Sequence, residues 1–231
     1  MNTLVSGFWG EGISDKRFLP VLIQRTLEEI MLECAEGEWD ILEPLALHPN
    51  RQAKGFVEQV LNVSQQAAGF HLLFVHTDAD ATDEDERAWS HKISPAITAL
   101  QDVESPGNRC LDLVAVIPVV KIENWKLADG DALRNALGTL LTDDVLGLNM
   151  GSKQLEEKSA SKELLSEVLR TVNRDRRIPV EPEDLDAALA KGISLKKISR
   201  FKSFQKFVER LKEVLIRQNI VKSDCNPTFI N

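Results

Sequence analysis

Four short apolar runs, alternating with stretches of helical periodicity, most constrain what this 231-residue chain can fold into. They are Leu4–Phe8, Trp39–Leu47, Phe70–His76 and Leu111–Val116. After the first run, Phe18, Leu19, Leu22, Ile23, Leu27, Ile30 and Met31 recur at three- and four-residue spacing. That spacing predicts a helix over about 15–35, with Ser14 as N-cap and Asp15 in the first turn, where negative charge is favoured. Further helices are expected over about 55–68 and 83–100, the latter broken by Pro95. Leu111–Val116 is almost continuously apolar, as a strand covered on both faces is. The alternation predicts an α/β fold: a doubly wound, mostly parallel sheet with helices on both sides, spanning residues 1–120. Beyond Pro118 the strand signal stops. Ile122–Asp129 reads as a short amphipathic helix, followed by helices near 131–141, 161–171, 182–190 and 200–217. Residues 121–231 are therefore expected to form a helical C-terminal region.

Two acidic motifs stand where strands should end. Gly10-Glu11-Gly12-Ile13-Ser14-Asp15 follows the first run, and Asp78-Ala79-Asp80 follows the third. The crevice at the C-terminal ends of parallel strands is where open α/β sheets bind ligands. Glu11 and Asp15 lie about one helical turn apart, and Asp78 and Asp80 share one side of an extended segment. Carboxylates gathered in one cavity repel unless a cation is present, and neither acidic motif itself contains a lysine or arginine. Mg²⁺ or Mn²⁺ meets that need with oxygen ligands and would polarise a phosphoryl oxygen or activate water. By the same repulsion, removing Asp78 and Asp80 is expected to leave the fold intact or stabilise it. Glu123, after the fourth run, is a further candidate ligand. Two solvated acidic turns are the simpler alternative.

Other residues read more plainly. His76, two residues before Asp78, fits packing or support of the acidic residues better than catalysis. Thr82 and the run Asp83–Glu86 read as an N-cap and an acidic first helical turn. Trp125 reads as core. No Gly-x-x-x-x-Gly-Lys-Ser/Thr loop occurs, so ATP hydrolysis of the P-loop type is not expected, and Glu11 between Gly10 and Gly12 would repel a pyrophosphate, which rules out reading these glycines as a dinucleotide fingerprint.

The net charge of −8 is uneven. Between Lys191 and Lys222 ten basic residues face only Glu209 and Glu213, a local +8 that leaves −16 for the rest. Such asymmetry points to a polyanion partner, with Lys196, Lys197, Arg200, Lys202 and Lys206 as candidate nucleic-acid contacts. Its counter-reading is a basic face that balances the acidic body of the same chain or of a second copy. Cys34, Cys110 and Cys225 show no disulfide or zinc spacing, which suggests unpaired thiols in a reducing cytoplasm, with Cys34 as a small buried hydrophobe. No secretory leader and no bilayer-length apolar run is apparent, so neither export nor membrane insertion is expected.

Strand–Glu-Gly-x-x-Asp–helix followed by strand–Asp-x-Asp resembles the TOPRIM fold of topoisomerases, primases and overcoming-lysogenization-defect nucleases. Ile122-Glu123-Asn124-Trp125-Lys126-Leu127-Ala128-Asp129 looks more specifically like a standalone TOPRIM-like family of prokaryotic proteins, often found in antiviral defence loci. Ser161–Leu165 and Phe201–Phe207 fit that family's helical half. The resemblance implies Glu11 as metal ligand or general acid/base, Asp78 and Asp80 as metal ligands, and Asp15 and Glu123 as ligands of a second metal. It also implies a catalytic lysine, for which Lys162 is the first choice, ahead of Lys153 and Lys158. The activity implied is a Mg²⁺-dependent nuclease, with a partner ATPase in trans. A binding or regulatory module that keeps the metal is the alternative, and small-molecule phosphotransfer ranks third. DNA or RNA preference and homo-oligomer formation stay open.

Overall fold

The computed structural model describes residues 2–10, 12, 15–79, 85–103, 106–174 and 176–230. The first apolar run forms β1 (Asn2–Leu4) and β2 (Ser6–Gly10), interrupted at Val5, whose N–H donates to the His71 ring Nδ1. Helix α1 (Asp15–Cys34) follows, then β3 (Trp39–Ile41), β4 (Leu45–Ala46), α2 (Phe56–Gln66) and β5 (Leu72–His76). Next come α3 (Asp85–Ala88), a π-helical turn (Trp89–Ile93), α4 (Ser94–Gln101) and β6 (Leu113–Val116). Pro95 does not break this helix as the sequence suggested. Lacking an N–H, it sits at the start of α4, and the wider turn before it is closed by Ser94 N–H donating to Trp89 O. Thr82, Asp83 and Glu84 lie outside the described residues.

The strands are all parallel, in the order β4-β2-β5-β6, with β1 and β3 pairing separately. This is an α/β fold with a parallel sheet, as the alternation predicted. Side chains alternate across the strands, so each face feeds its own core. Phe8, Leu72, Phe74, Val114 and Val116 join an apolar cluster with α1 and the C-terminal helices. Trp9, Leu73, Val75, Leu113 and Ala115 join another with α2 and α4.

The rest of the chain is helical: α5 (Ile122–Lys126), α6 (Gly130–Leu137), α7 (Asp143–Leu146), α8 (Ser152–Glu156), α9 (Ser161–Asn173), α10 (Pro182–Gly192), α11 (Leu195–Ile198) and α12 (Lys202–Arg217). Its first cluster runs unbroken from Leu4 to Phe229, so these helices pack onto the sheet. Helix α12 buries Phe204, Phe207, Val208, Leu211, Val214 and Leu215 along one stripe. The carboxylate of Glu156 caps its start, accepting from Lys202 N, Ser203 N and Ser203 Oγ. Trp125 is fully buried, as expected, packing on Phe204 and Phe207 and donating its indole N–H to Ser203 Oγ.

The cysteines depart from expectation. Cys34 and Cys225, 191 residues apart in sequence, form a disulfide. Spacing could not show this, because long-range packing brings the two together. Ala35 and Val221 form an antiparallel bridge, Lys222 N donates to Cys34 O, and Glu33 accepts from Thr228 N and Oγ1. The argument from unpaired thiols to a reducing compartment therefore loses its premise. Cys110 is free and buried. Among the described residues no helix is long and apolar enough to cross a membrane.

Candidate functional site

The chain leaves β2 towards α1 on one face of the sheet, and leaves β5 towards α3 and α4 on the other. This divergence between neighbouring strands opens a crevice at their C-terminal ends, the switch point where α/β sheets bind ligands. Gly10 pairs with His76, so the two acidic segments start side by side. Beyond β5, Thr77 N and Ala79 N donate to Val116 O and Pro118 O, which carries Asp78 along the end of β6. Its Oδ1 accepts from Ile122 N at 3.0 Å, fixing the carboxylate against the start of α5. The turn before α5 is tight: Lys121 N donates to Val119 O around Val120, whose φ of 61° is strained for a β-branched residue. On the β2 side, a Cβ at Gly12 would run into the Asp15 carboxylate, so glycine there lets the chain close over it.

Asp15 and Asp78 meet at one buried ring. His76 Nε2 lies 3.3 Å from Asp15 Oδ2 and 3.7 Å from Asp78 Oδ1. Its Nδ1 is 3.0 Å from Val116 O and must donate to it, because a carbonyl only accepts. A neutral ring would then aim its Nε2 lone pair at two carboxylates. Burial alone would push the His76 pKa down. The hydrogen bond and charge of Asp15, the charge of Asp78 and the Val116 carbonyl outweigh it and raise the pKa above the ordinary histidine value. The raised pKa and the placement of Nε2 between two carboxylates both favour the charged ring. The cation that sequence adjacency seemed to lack was two residues away from Asp78.

A second buried cation stands behind the first. Lys126 Nζ lies 2.7 Å from Asp186 Oδ1 and 5.5 Å from the Phe18 ring centre, tying α5, α10 and α1 together. Burial raises the Asp186 pKa; Lys126 opposes this, while the charges of Glu123 and Asp15 add to it. Sequence reasoning passed over Lys126 and Asp186. Each sits on the apolar stripe of its helix, Lys126 four residues after buried Ile122 and Asp186 three before buried Leu189. A charge on such a stripe was the available signal.

Of the sequence-predicted acids, Asp15 and Asp78 are brought together, and half-buried Glu123 lies in the first turn of α5. Glu11, Asp80 and the proposed cap Ser14 lie outside the described residues. Lys162 is exposed on α9 and lines a surface depression with Glu163, Ser166, Glu167 and Arg170. Lys153 is exposed beside Glu157 on α8, and the Lys158 carbonyl accepts from Asn124 Nδ2.

The basic segment divides in two. Lys197 pairs with Asp129 and Asp131 at 2.6 Å, Lys206 with Asp85, and Arg217 with Asp112. Lys196, Arg200 and Lys202 are exposed and form no ion pair among the described residues. The Ile122–Asp129 stretch proves to be an organiser. Asn124 binds Leu155 O, Glu156 O, Lys158 O and Ser161 Oγ, while Asp129 caps α6 and accepts from Ser194 N and Lys197.

Asp15 and Asp78 are the hard oxygen donors that Mg²⁺ takes, although Asp78 Oδ1 is already engaged by Ile122 N. Among the described residues, no three His, Cys, Asp or Glu side chains stand together as a metal-binding group. Comparisons with known protein families, with characterised proteins and with solved structures find no match.

Proposed function

We propose that this chain is a Mg²⁺- or Mn²⁺-dependent nuclease of TOPRIM-like architecture, hydrolysing phosphodiesters of DNA or RNA in antiviral defence beside a partner ATPase. The observation that supports it most is the convergence of Asp15 and Asp78 on His76 at the switch-point crevice. Asp15 and Asp78 would hold the cation with Glu11 and Asp80, and Glu123 would stand at a second position. When bound, the metal would supply Lewis-acid polarisation of a phosphoryl oxygen and a nucleophilic water. The chain's own part is positioning. Ile122 N–H fixes one Asp78 oxygen, Gly12 admits Asp15, and the His76 ring stands between the two acids.

The alternative is a binding or regulatory module. It draws on Lys197 and Lys206 being engaged with the protein's own carboxylates, and on His76 balancing Asp15 and Asp78 without a metal. Incubation with labelled DNA and RNA panels in Mg²⁺ or Mn²⁺, beside a chelator control, separates the two. A nuclease cleaves only with the cation and loses cleavage in the Asp78→Asn/Asp80→Asn variant. Undiminished cleavage by that variant, or none by the wild type, would overturn the proposal.

A further inference from the structure

Helix α12 carries Lys206, Arg210 and Arg217 four and seven residues apart, so the three share one side of the helix. Lys206 is held by Asp85, just beyond the segment that carries Asp78, and Arg217 by Asp112, just before β6. The row thus runs from the crevice along the outer edge of β6, the last strand of the sheet. Arg210, in the middle, differs from both. Its guanidinium stacks on the indole of Trp89 at 4.5 Å, and among the described residues it makes no hydrogen bond or ion pair. Burial lowers its pKa against the more distant pull of Asp85, Glu213 and Glu209. Its nitrogens are not buried away from solvent, so the guanidinium can offer its donors to an anion that enters the groove.

Trp89 and Arg210 line a groove of about 450 Å³ between α4 and α12, over Leu111 and Leu113, with Gln101 at its side. That volume suits a ligand of nucleotide size. The groove's acids compete weakly with such a ligand, since Asp112 is bound by Arg217 and Gln218 and Glu213 is exposed to water. An indole, an apolar floor and an unpaired guanidinium together match a nucleobase and its phosphate.

We propose that this groove binds one nucleotide of a single-stranded nucleic acid, its base beside Trp89 and its phosphate on Arg210. This rests on the nucleic-acid reading of the crevice and deepens it. Arg210, rather than the paired Lys197 and Lys206, becomes the phosphate contact of the basic segment.

The test is fluorescence anisotropy of fluorescein-labelled 12-mers of dT and rU, titrated with the full chain in chelator over a range of NaCl. Arg210→Ala should weaken binding by about tenfold and reduce the salt slope by about 0.7, the value of one single-strand phosphate contact. Arg210→Lys should keep the slope and still lose affinity, because the planar fork is gone. Trp89→Leu should weaken binding at an unchanged slope. Thermal melts of each variant establish that it is folded, and Arg210→Lys, which keeps the charge and the helix, serves if Arg210→Ala is not. Wild-type affinity and slope in Arg210→Ala and Trp89→Leu, or no oligonucleotide binding by the wild type, would overturn the proposal. So would tighter binding of an octaglutamate peptide, which would give the groove to an acidic protein segment. Because cleavage plays no part in this assay, a wild type that binds without cutting in Mg²⁺ sinks the nuclease and leaves the groove standing.

Discussion

Breaking the Cys34–Cys225 bond should cost this protein a large share of its stability while leaving its folded architecture in place. The bond closes a loop of 191 residues. In the chain-entropy treatment, such a cross-link withholds about 5 kcal/mol of freedom from the unfolded state at 25 °C. The folded state loses little else on reduction. Glu33 still holds Thr228, Ser199 Oγ still donates to Phe229 O, and Phe229 remains buried. With an unfolding entropy of about 2.1 cal/mol/K per residue, a chain of this length should melt about 10 °C lower. The assay is thermal unfolding of oxidised protein, of reduced protein and of Cys225→Ser. Alkylation in denaturant should label Cys110 alone in the oxidised sample and all three cysteines after reduction. The reasoning fails if oxidised and reduced melts agree within about 2 °C. It also fails if Cys225→Ser falls far below the reduced wild type, since packing and not the cross-link would then carry the effect.

Four further outcomes are expected. Lys126→Met, which strands buried Asp186, should lose about 3–5 kcal/mol in urea unfolding, and Lys126→Met/Asp186→Leu should recover most of it; a harmless single mutant would show the pair to be idle. Asp78→Ala should destabilise by about 1–3 kcal/mol, because Ile122 N loses its acceptor and His76 a neighbouring negative charge, and a raised melting temperature would refute this. Lys197 has its pKa raised above 10.5 by its hydrogen bonds to Asp129 and Asp131, so its contribution is complete below that value and lost as pH rises through the folded one. The melting gap between wild type and Lys197→Met should therefore close at strongly alkaline pH, and a pH-independent gap would assign Lys197 to packing alone. Burial pushes the Cys110 thiol to about 11, so the native protein should leave Ellman's reagent unreacted at pH 8; rapid reaction would contradict that burial.

The fold was legible where local pattern decides it. Strand runs covered on both faces and the amphipathic stripe of α1 carry their period in the sequence, and each formed close to its expected bounds. The short helices α7, α8 and α11 escaped because four or five residues hold too little periodicity. Pro95 misled for a different reason. A proline ends a helix only if the lost hydrogen bond goes unreplaced, and here a π-helical turn replaces it. Cys34–Cys225 and Lys126–Asp186 depend on which distant segments meet, so no spacing rule reaches them.

The site shows the same limit in its electrostatics. Counting carboxylates along the chain predicts repulsion, hence a missing cation. In the folded protein Asp78 has the Ile122 amide, Asp15 and Asp78 share His76, and Asp186 has Lys126. Asp15, Asp78 and Asp186, balanced in this way, do not themselves call for a metal in order to be buried. The need for a cation can therefore arise from chemistry alone. Metal dependence should then appear in turnover and be nearly absent from the melting temperature. A chelator that lowers the melting point by several degrees would contradict this balance and would restore the metal as a structural element of the site.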